Sequence, residues 1–274
     1  RNTKTWKKNS TNKNIFIRVC YSRIYTAELM RRYKCIVEYD GTSFVGWQRQ
    51  TNGYSVQEAV EKSLESITQE KIRIHGSGRT DTGVHAKGQV IHFDSNTNLN
   101  EYTISSALNH YLKKELISIL STEIVDDNFD ARRNAILRTY EYLIINRTAP
   151  LTIDKNKAWH ISKPLNKKLI STAIKIFEGT HDFTTFRAAS CEASSPIRTI
   201  EHTEVKIRNE EIFITFQSRS FLQHQVRSMV GALKFIGEKK WSIYDLQSAL
   251  DSKDRSRCAA LAPACGLYLL KVSF

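Results

Sequence analysis

The sequence lacks paired cysteines and long hydrophobic runs, and each absence excludes a class of protein. The five cysteines form no CxxC pair and have no histidine at the spacing of a metal site, so we predict neither a metal nor a disulfide. An odd number of cysteines without a secretory signal is typical of a reducing compartment, where free thiols persist. No run of eighteen apolar residues is present, and we therefore predict no membrane span.

Acidic residues are also scarce relative to basic ones. The chain has 28 Asp and Glu against 41 Lys and Arg, which gives a formal net charge of +13. Such an excess favours a polyanionic partner such as nucleic acid. The excess is uneven, because residues 1–32 hold nine basic residues and a single acid, Glu28. That segment therefore carries +8 and the remaining 242 residues only +5, so the body of the chain is moderately basic.

Residues 1–29 are rich in Asn, Thr and Lys and show no clear helical or strand period over most of their length. We expect an N-terminal extension that is disordered. Two origins remain open: Met30 is the true start, which we favour, or the extension is an organelle transit segment, since basic residues are plentiful and acids are scarce. We accordingly expect a cytoplasmic protein, or an organellar one if residues 1–29 are a transit segment.

Hydrophobic periodicity divides the rest of the chain into two parts. From Arg32 to Asp127 it predicts strand, helix, strand, strand, helix and strand, the split βαβ order of a ferredoxin-like half. Ser55 and Glu58 have the spacing of a capping box at the start of the first helix. The second strand of this half is predicted at residues 71–75, where Ile72 and Ile74 alternate with polar residues.

The same order partly recurs after residue 127. The elements predicted there are strands at 137–145, 197–208, 211–218 and 267–274, helices at 165–179 and 221–237, and a short helix capped by Ser242. We therefore predict an α+β protein of two tandem ferredoxin-like, or RRM-like, halves, at residues 30–127 and 128–274. The sheets should be mainly antiparallel with helices packed on one face, and an active-site cleft should lie between the halves.

The segment GSGRTDTGVHA, from Gly76 to Ala86, holds Arg79, Thr80 and Asp81 between glycines. Glycine permits positive φ and a close approach of backbone, so such a loop can aim one acid from a rigid base. On the residues alone two interpretations remain open. The loop is an ordinary polar hairpin in which Asp81 caps a turn and pairs with Arg79, or it faces a ligand.

Three further segments carry groups that could do chemistry. Tyr140 and Tyr142, two residues apart in a predicted strand, share one face, and core packing is the simpler explanation for such a pair. Arg227 lies beside the apolar stripe of a predicted helix, where it is either solvated or buried with a carboxylate or phosphate partner. His181 and Asp182 are adjacent in the predicted loop GTHDFTTFRAASC, and turn capping is the favoured role there.

These motifs, in this order, resemble the TruA family of tRNA pseudouridine synthases. The family's usual signature is GRTDAGVHA, and this chain has GRTDTGVHA, with Thr82 in place of Ala. The resemblance continues through GWQRQ, FxARxxAxxRxYxY, GxHDFxxFRAA, SPxRTI, FxxHxVRxMVG and APAxGLYL, and it extends from Arg31 to Phe274. Several motifs in series make the resemblance specific.

The resemblance implies a role for particular residues. Asp81 matches the nucleophilic aspartate of the family, and Arg227 matches the arginine that pairs with it. Tyr140 matches the catalytic tyrosine that stacks on the target uracil. Its hydroxyl could also pass a proton at C5 of the base. Arg79 matches the side chain that enters the space left by the flipped nucleotide, and Leu267 matches an apolar wall of the pocket. All of these positions are occupied by the expected residue type.

The resemblance also implies conversion of uridine to pseudouridine at positions 38, 39 and 40 of the tRNA anticodon stem-loop. The expected mechanism flips the base, depends on the aspartate and needs no cofactor, and Arg49 in GWQRQ is expected to contact the RNA. A homodimer is expected to bind the tRNA. Alternatives are a synthase for other tRNA or RNA positions and a non-catalytic module that binds or folds tRNA. Whether Asp81 acts through an acylal or a glycal stays open.

Overall fold

The computed structural model describes residues 30–274, which form ten strands and five α-helices. The strands are β1 (Arg31–Tyr39), β2 (His75–Gly76), β3 (His85–Ser95), β4 (Ile117–Val125), β5 (Leu137–Asn146), β6 (Trp159–Ile161), β7 (Gly179–Asp182), β8 (Ile197–Arg208), β9 (Glu211–Ser218) and β10 (Leu267–Ser273). The helices are α1 (Val56–Thr68), α2 (Glu101–Leu112), α3 (Lys167–Ala173), α4 (Gln225–Gly237) and α5 (Ile243–Asp251). The predictions for residues 1–29 fall outside this range. No described helix is long and apolar enough to cross a membrane.

All ten strands belong to one sheet, whose order is β4-β1-β3-β10-β5-β9-β8-β7, with β2 paired to β3 and β6 paired to β5. Every pairing is antiparallel except β10 with β3 and β6 with β5. The C-terminal strand β10 lies between β3 and β5, and its pairing with both supplies partners for two strands that would otherwise be exposed edges. The two halves therefore share a continuous sheet.

Strand β9 buries one face only, as the period of two predicts. Strand β9 buries Ile212, Ile214 and Phe216 completely, while the residues between them are only half-buried. Helix α1 packs against α2, and α3 packs against α4. Antiparallel sheets commonly bury one face in this way, and the predicted α+β class with a mainly antiparallel sheet is confirmed.

The predicted strand at residues 71–75 is wrong over most of its length, because only its last residue, His75, pairs with β3. Ile72 and Ile74 are nevertheless buried. The backbone N–H of Ile74 donates to the carboxylate of Glu61 on α1, at 3.1 Å, rather than to a neighbouring strand. Here the alternation of apolar residues comes from packing under a helix, which periodicity alone does not distinguish from a strand.

Two predicted helices are shorter in the structure. The helix predicted at 165–179 is α-helical only as α3 and ends as a 3₁₀ turn at Phe177. The helix predicted at 221–237 begins at Gln225, because His224 has a left-handed backbone with φ 63°. The predicted loop around His181 contains strand β7, which pairs with β8. Within it the carboxylate of Asp182 accepts from the N–H of Thr184 at 2.9 Å, which is the turn capping that was predicted.

The helix caps agree with the sequence more closely. The hydroxyl of Ser242 accepts from the N–H of Asp245, whose carboxylate in turn accepts from the N–H of Ser242, so α5 begins with a complete capping box. Ser55 caps α1 by accepting from the N–H of Glu58 at 3.2 Å. The carboxylate of Glu58 does not complete the predicted capping box, because it makes a salt bridge with Lys62 at 2.8 Å instead.

Gly231 in α4 gives a test of the packing that supports this helix. A β-carbon at this position would lie 2.0 Å from the carbonyl oxygen of Ala260. Alanine favours a helix over glycine by about 1 kcal/mol, whereas overpacking costs about 1–3 kcal/mol or more. We expect Gly231→Ala to lower the free energy of unfolding, measured by urea titration.

The matched control is Gly237→Ala in the same helix, where the added β-carbon meets the side-chain tip of Ile170 at 2.8 Å. A side-chain tip can move, so this variant should lose less stability than Gly231→Ala. A Gly231→Ala protein as stable as the wild type would contradict the close approach of α4 to Ala260.

Candidate active site

A cleft of about 1510 Å³ runs along the loop Gly76–Val84 and faces α4. Its volume exceeds the roughly 300–1,000 Å³ of typical small-molecule sites, which favours a polymeric ligand. Its wall includes seven arginines and two histidines against three acids: Arg73, Arg79, Arg132, Arg133, Arg138, Arg198, Arg227, His75, His224, Asp81, Asp130 and Glu192. Among residues 30–274 no group of three or more His, Cys, Asp or Glu is placed to hold a metal ion.

Asp81 lies in a turn on the wall of this cleft. The N–H of Val84 donates to the carbonyl of Asp81 at 3.1 Å, and Gly83 completes the turn with φ +76°, a conformation that favours glycine. The Oδ2 atom of Asp81 lies 3.3 Å from Nη1 of Arg227 and 3.5 Å from Nε2 of His224. About a quarter of the Asp81 side chain is exposed. The carboxylate is therefore paired on one side and open to the cleft.

Arg79 does not pair with Asp81. Its side chain is exposed on the cleft wall, and it forms no ion pair with any residue in the described part of the chain. The hairpin interpretation, in which these two neighbours neutralise each other, therefore does not describe the structure. Arg79 is instead a cation that projects into the cleft.

Buried polar groups hold the loop from below. The amide of Gln89, which is fully buried, donates to the carbonyl of Gly78 at 2.8 Å and accepts from the hydroxyl of Ser77 at 2.6 Å. The hydroxyls of Tyr39 and Thr80 are hydrogen-bonded at 2.7 Å. Each partner is satisfied within the protein, and buried networks of this kind rigidify the segment that they join. The backbone on the N-terminal side of Asp81 is thus anchored to β1 and β3.

A second loop packs against the first. The N–H of Trp47 donates to the carbonyl of Thr80 at 3.0 Å. Gly46 has φ +117°, and a β-carbon there would lie 2.7 Å from the same carbonyl oxygen, so the close approach requires glycine. The hydroxyl of Thr82 donates to the carbonyl of Val45 at 2.8 Å. The one local departure from the family signature, Thr82, therefore ties the two loops together.

Arg227 reaches Asp81 from the first turn of α4. Its Nε donates to the carbonyl of Ala262 at 2.9 Å, and the N–H of Ala262 donates back to the carbonyl of Arg227 at 3.2 Å. The side chain is 13% exposed. One side of the guanidinium is thus used to hold the APACGLYL segment, and the other faces the carboxylate. This largely buried arginine with a carboxylate partner is one of the two possibilities that the sequence left open.

The two tyrosines of β5 share a face but differ in environment. Tyr142 is fully buried and donates its hydroxyl to the carbonyl of Pro263 at 2.7 Å. Tyr140 lines the cleft and packs edge-to-face with Phe221, with ring centroids 5.2 Å apart. Burial, and next the negative charge of Asp81, raise the pKa of Tyr140 well above its ordinary value. Leu267 of β10, which pairs with Tyr142 of β5, also lines the cleft.

Arg49 is placed differently from the other candidate residues. Its guanidinium forms a salt bridge with Glu61 on α1 at 2.7 Å, and its backbone N–H donates to the side chain of Gln57. Arg49 is not part of the cleft wall, although Gln48 and Gln50 on either side of it are. The structure thus brings Asp81, Tyr140, Arg227, Arg79 and Leu267 to one cleft and leaves Arg49 at its margin.

Arg138 is a site residue that the sequence analysis missed. Its buried guanidinium donates to three backbone carbonyls, those of Ser77, Arg132 and Arg219. Burial lowers the pKa of Arg138 below its usual value. The side chain joins the Asp81 loop to two segments that follow it in the chain. The signal was present in the motif FxARxxAxxRxYxY, where this arginine comes two residues before Tyr140.

His224 was missed as well, although the motif FxxHxVRxMVG contains it three residues before Arg227. It is the residue immediately before α4 and is half-buried in the cleft wall. Burial lowers the pKa of His224, and the charge of Asp81 opposes that shift. Only the structure shows that this imidazole converges with Arg227 on the same carboxylate oxygen.

Comparison with known proteins now places the chain. Residues 35–132 and 173–274 match the sequence model of a family described as tRNA pseudouridine synthase. The chain belongs to the TruA family of tRNA pseudouridine synthases. The matched blocks contain Asp81 and Arg227, whereas Tyr140 falls in the stretch between them.

Individual TruA relatives are similar over most of the chain. The tRNA pseudouridine synthase A of Beijerinckia indica is 49% identical over 245 residues, which are 89% of this chain and 94% of the relative. That of Methylocella silvestris is 48% identical, over 89% of this chain and 99% of the relative. A solved complex of Cbf5, Nop10 and Gar1 aligns with 87% of this chain and 48% of its own, but the TM-score of 0.35 and identity of 13% carry no argument.

The role of Arg138 can be tested by stability. Arg138→Met removes the donors from three carbonyls, and a hydrogen bond with a charged partner contributes about 1.5–3 kcal/mol. We therefore expect the free energy of unfolding to fall by at least about 2 kcal/mol in a denaturant titration. Arg133→Met is the matched control, because the Arg133 side chain is 87% exposed. Its Nε lies 3.9 Å from the carboxylate of Asp130, which is too far for a hydrogen bond. Equal stability of the two variants would show that Arg138 does not hold the loop.

Proposed function

We propose that this protein isomerises uridine to pseudouridine in the anticodon stem-loop of tRNA, at positions 38, 39 and 40. The observation that carries the proposal is the single carboxylate of Asp81, paired with Arg227 in a large cleft rich in arginine, in a chain of the TruA family. The reaction breaks one carbon–nitrogen bond and forms one carbon–carbon bond within the same nucleotide. It therefore needs no redox partner.

The reaction begins at the N1–C1′ glycosidic bond. Asp81 either attacks C1′ and forms a covalent ester-like intermediate, or removes the C2′ proton and forms a glycal. In both routes the carboxylate acts as an anion, and Arg227 places a positive charge 3.3 Å from it. The exposed quarter of the Asp81 side chain leaves room for the sugar to approach.

The released base has to be held while it rotates and presents C5 to C1′. In this proposal the ring of Tyr140 stacks on the uracil and Leu267 supports it as an apolar wall. Extrusion of a base from its stack costs a few kcal/mol, and less in a loop than in a stem. Arg79, exposed and without an ion-pair partner among residues 30–274, is free to occupy the space that the base leaves.

Recognition rests on charge and shape in this proposal. An enzyme that modifies three neighbouring uridines gains nothing from reading base edges, so contacts to phosphate and sugar must position the RNA. The exposed arginines of the cleft wall, Arg73, Arg79, Arg132 and Arg133, supply such contacts. By family resemblance we also propose a cytoplasmic homodimer without a cofactor, in which residues 30–127 and 128–274 act as two halves and Arg49 contacts RNA at the margin of the cleft.

The role of Asp81 predicts the result of a simple activity assay. With tRNA transcripts that carry tritium at C5 of uridine, the wild type should release label as pseudouridine forms. Asp81→Asn should reduce release by at least about 10³-fold, since a nucleophile or base has been removed. Its affinity for tRNA should stay nearly unchanged. The control is Asp127→Asn, which changes an exposed carboxylate outside the cleft wall. This variant should remain fully active.

Three other outcomes would each contradict part of the proposal. Turnover by Asp81→Asn would show that Asp81 is neither the nucleophile nor the base of the reaction. Pseudouridine mapped to tRNA positions other than 38–40, or to another RNA, would favour the related synthase activity. Strong binding of tRNA by a wild type that forms no pseudouridine would favour a non-catalytic module.

The salt dependence of binding tests the arginine-rich cleft. Arg133 is exposed and lines the cleft, so we expect it to contact a phosphate. Arg133→Ala should weaken tRNA binding and reduce the slope of log K against log salt by about 1, the value for one lost phosphate contact. Arg208→Ala, whose guanidinium lies over the ring of Phe213 outside the cleft wall, should leave the slope unchanged. An equal slope for the two variants would show that Arg133 does not contact a phosphate and that the RNA binds on another surface.

A further inference from the structure

Arg198 lies in the cleft wall without an anionic partner. It is the second residue of β8, where its backbone is paired with His181 of β7, and its side chain is half-buried. Among residues 30–274 it forms no salt bridge. Burial lowers the pKa of Arg198, and no carboxylate is close enough to oppose that shift. Removing a guanidinium from water is costly unless an anion or other acceptors replace the water.

The guanidinium of Arg198 uses only one of its two edges. Its Nη1 donates to the carbonyls of Ser195 and Ile197, at 2.9 and 2.6 Å. Its Nε is buried and has no hydrogen-bond partner, and in the described range 30–274 its Nη2 has none either. The N–H groups of Nε and Nη2 point the same way and form the fork that binds two oxygens of a carboxylate or phosphate. The unused edge is therefore the one suited to an anion.

Arg32 shows the same arrangement with its anion present. Its Nη1 donates to the carbonyl of Phe129 at 2.9 Å, as Nη1 of Arg198 donates to backbone. Its Nε and Nη2 donate to the two carboxylate oxygens of Asp94, each at 2.7 Å. Arg198 is held in the same way by its Nη1, but no acid of the described chain occupies its fork. An anion from outside the protein would complete it.

The vacancy is not a general property of the cleft wall. Arg138 and Arg227, the other two arginines of the wall that are not exposed, use their Nε on backbone carbonyls. The remaining donors of Arg138 also reach carbonyls, and Arg227 faces the carboxylate of Asp81. Buried polar groups are nearly always paired, and an exception calls for a specific explanation. Arg198 is that exception here.

The backbone around Arg198 is fixed before any ligand binds. The N–H of Phe183 donates to the carbonyl of Pro196 at 3.1 Å. The N–H of Ala188 donates to the carbonyl of Gln223 at 2.9 Å, which ties the segment before β8 to the one before α4. Residues of both segments, 190–193 and 220–225, line the cleft. An anion that reaches the fork of Arg198 therefore enters from the cleft.

We propose that Arg198 is a further RNA-binding residue, whose Nε and Nη2 hold one phosphate of the RNA backbone in the cleft. The proposal rests on the proposed function, which brings a polyanion to this wall. A guanidinium already held by its Nη1 loses little freedom when it binds, unlike the exposed arginines around it. A contact with one phosphate fixes the position of the RNA and reads no base. Arg198 thus acts in binding and not in the chemical step.

The first test compares two substitutions of Arg198. Arg198→Gln removes the charge and the fork, so we expect tRNA affinity to fall by about tenfold or more and the slope of log K against log salt to fall by about 1. Arg198→Lys keeps the charge without the fork, so it should keep the wild-type slope but bind more weakly. In the activity assay, the loss in Arg198→Gln should appear in KM rather than in kcat.

The matched control is Arg208→Gln, the same change on an exposed residue of the same strand, outside the cleft wall. It should bind tRNA as the wild type does. Denaturant titration of every variant measures how much stability is lost with the hydrogen bonds of Nη1.

The second test locates the phosphate. In a tRNA with one target uridine, each phosphate of the anticodon arm is replaced in turn by an uncharged methylphosphonate. We expect one position at which the replacement weakens binding to the wild type by about tenfold or more, but changes binding to Arg198→Gln by less than about twofold. Arg208→Gln should respond as the wild type does. A loop that had merely lost its shape would not make binding depend on a single phosphate.

The outcomes separate this proposal from the function on which it rests. A wild type that forms no pseudouridine contradicts the proposed function, and the binding measurements still decide the role of Arg198. Wild-type affinity and slope in Arg198→Gln would overturn the proposal. So would weaker binding with an unchanged slope and no single phosphate that accounts for it, since Arg198 would then only support the carbonyls of Ser195 and Ile197. Wild-type affinity in Arg198→Lys would contradict the two-point contact.

Discussion

The site depends on the pairing of β10 with two strands at once. In parallel register Tyr268 and Leu269 of β10 lie opposite His85 and Ala86 of β3, which directly follow the Asp81 loop. On its other side Leu269 pairs with Tyr140 of β5. The backbone hydrogen bonds that β10 makes with β3 and β5 thus set the distance between the proposed nucleophile and the tyrosine that would hold the base. Without β10 the two halves would end in open edges, and the cleft would have no fixed width.

Hydrogen bonds from neighbouring side chains and backbone then hold the Asp81 loop rigid. Gln89 and Arg138 hold the carbonyls of Gly78 and Ser77, immediately before the loop turns toward Asp81. Thr82 and Trp47 bind the loop to its neighbour on the other side. These bonds exist before any ligand arrives, so the carboxylate does not need to be ordered at the moment of reaction. Four arginines of the cleft wall, Arg73, Arg79, Arg132 and Arg133, are exposed by comparison, which suits contacts that shift between neighbouring nucleotides.

The features that the sequence predicts well are local ones. Ser242 caps α5, Ser55 caps α1, and alternate residues of β9 are buried, because each depends on residues within one or two turns. The motifs also indicated the family and six candidate residues, of which five line the cleft wall and Arg49 lies at its margin. Long-range pairing was harder: the insertion of β10 between β3 and β5 joins segments far apart in the chain. The strand predicted around Ile72 failed because a helix supplies the same alternation. The left-handed φ of His224 and the salt bridge of Arg49 depend on neighbours that no local pattern specifies.

A structure of the Asp81→Asn variant bound to unmodified tRNA tests the central claim most directly. The account predicts that a uridine of the anticodon stem-loop lies outside its helix and in the cleft, with its ring on Tyr140 and its C1′ next to the side chain at position 81. The tRNA backbone should follow the arginines of the cleft wall. A tRNA bound on another surface, or a target uridine still stacked in its helix with the cleft empty, would contradict the account.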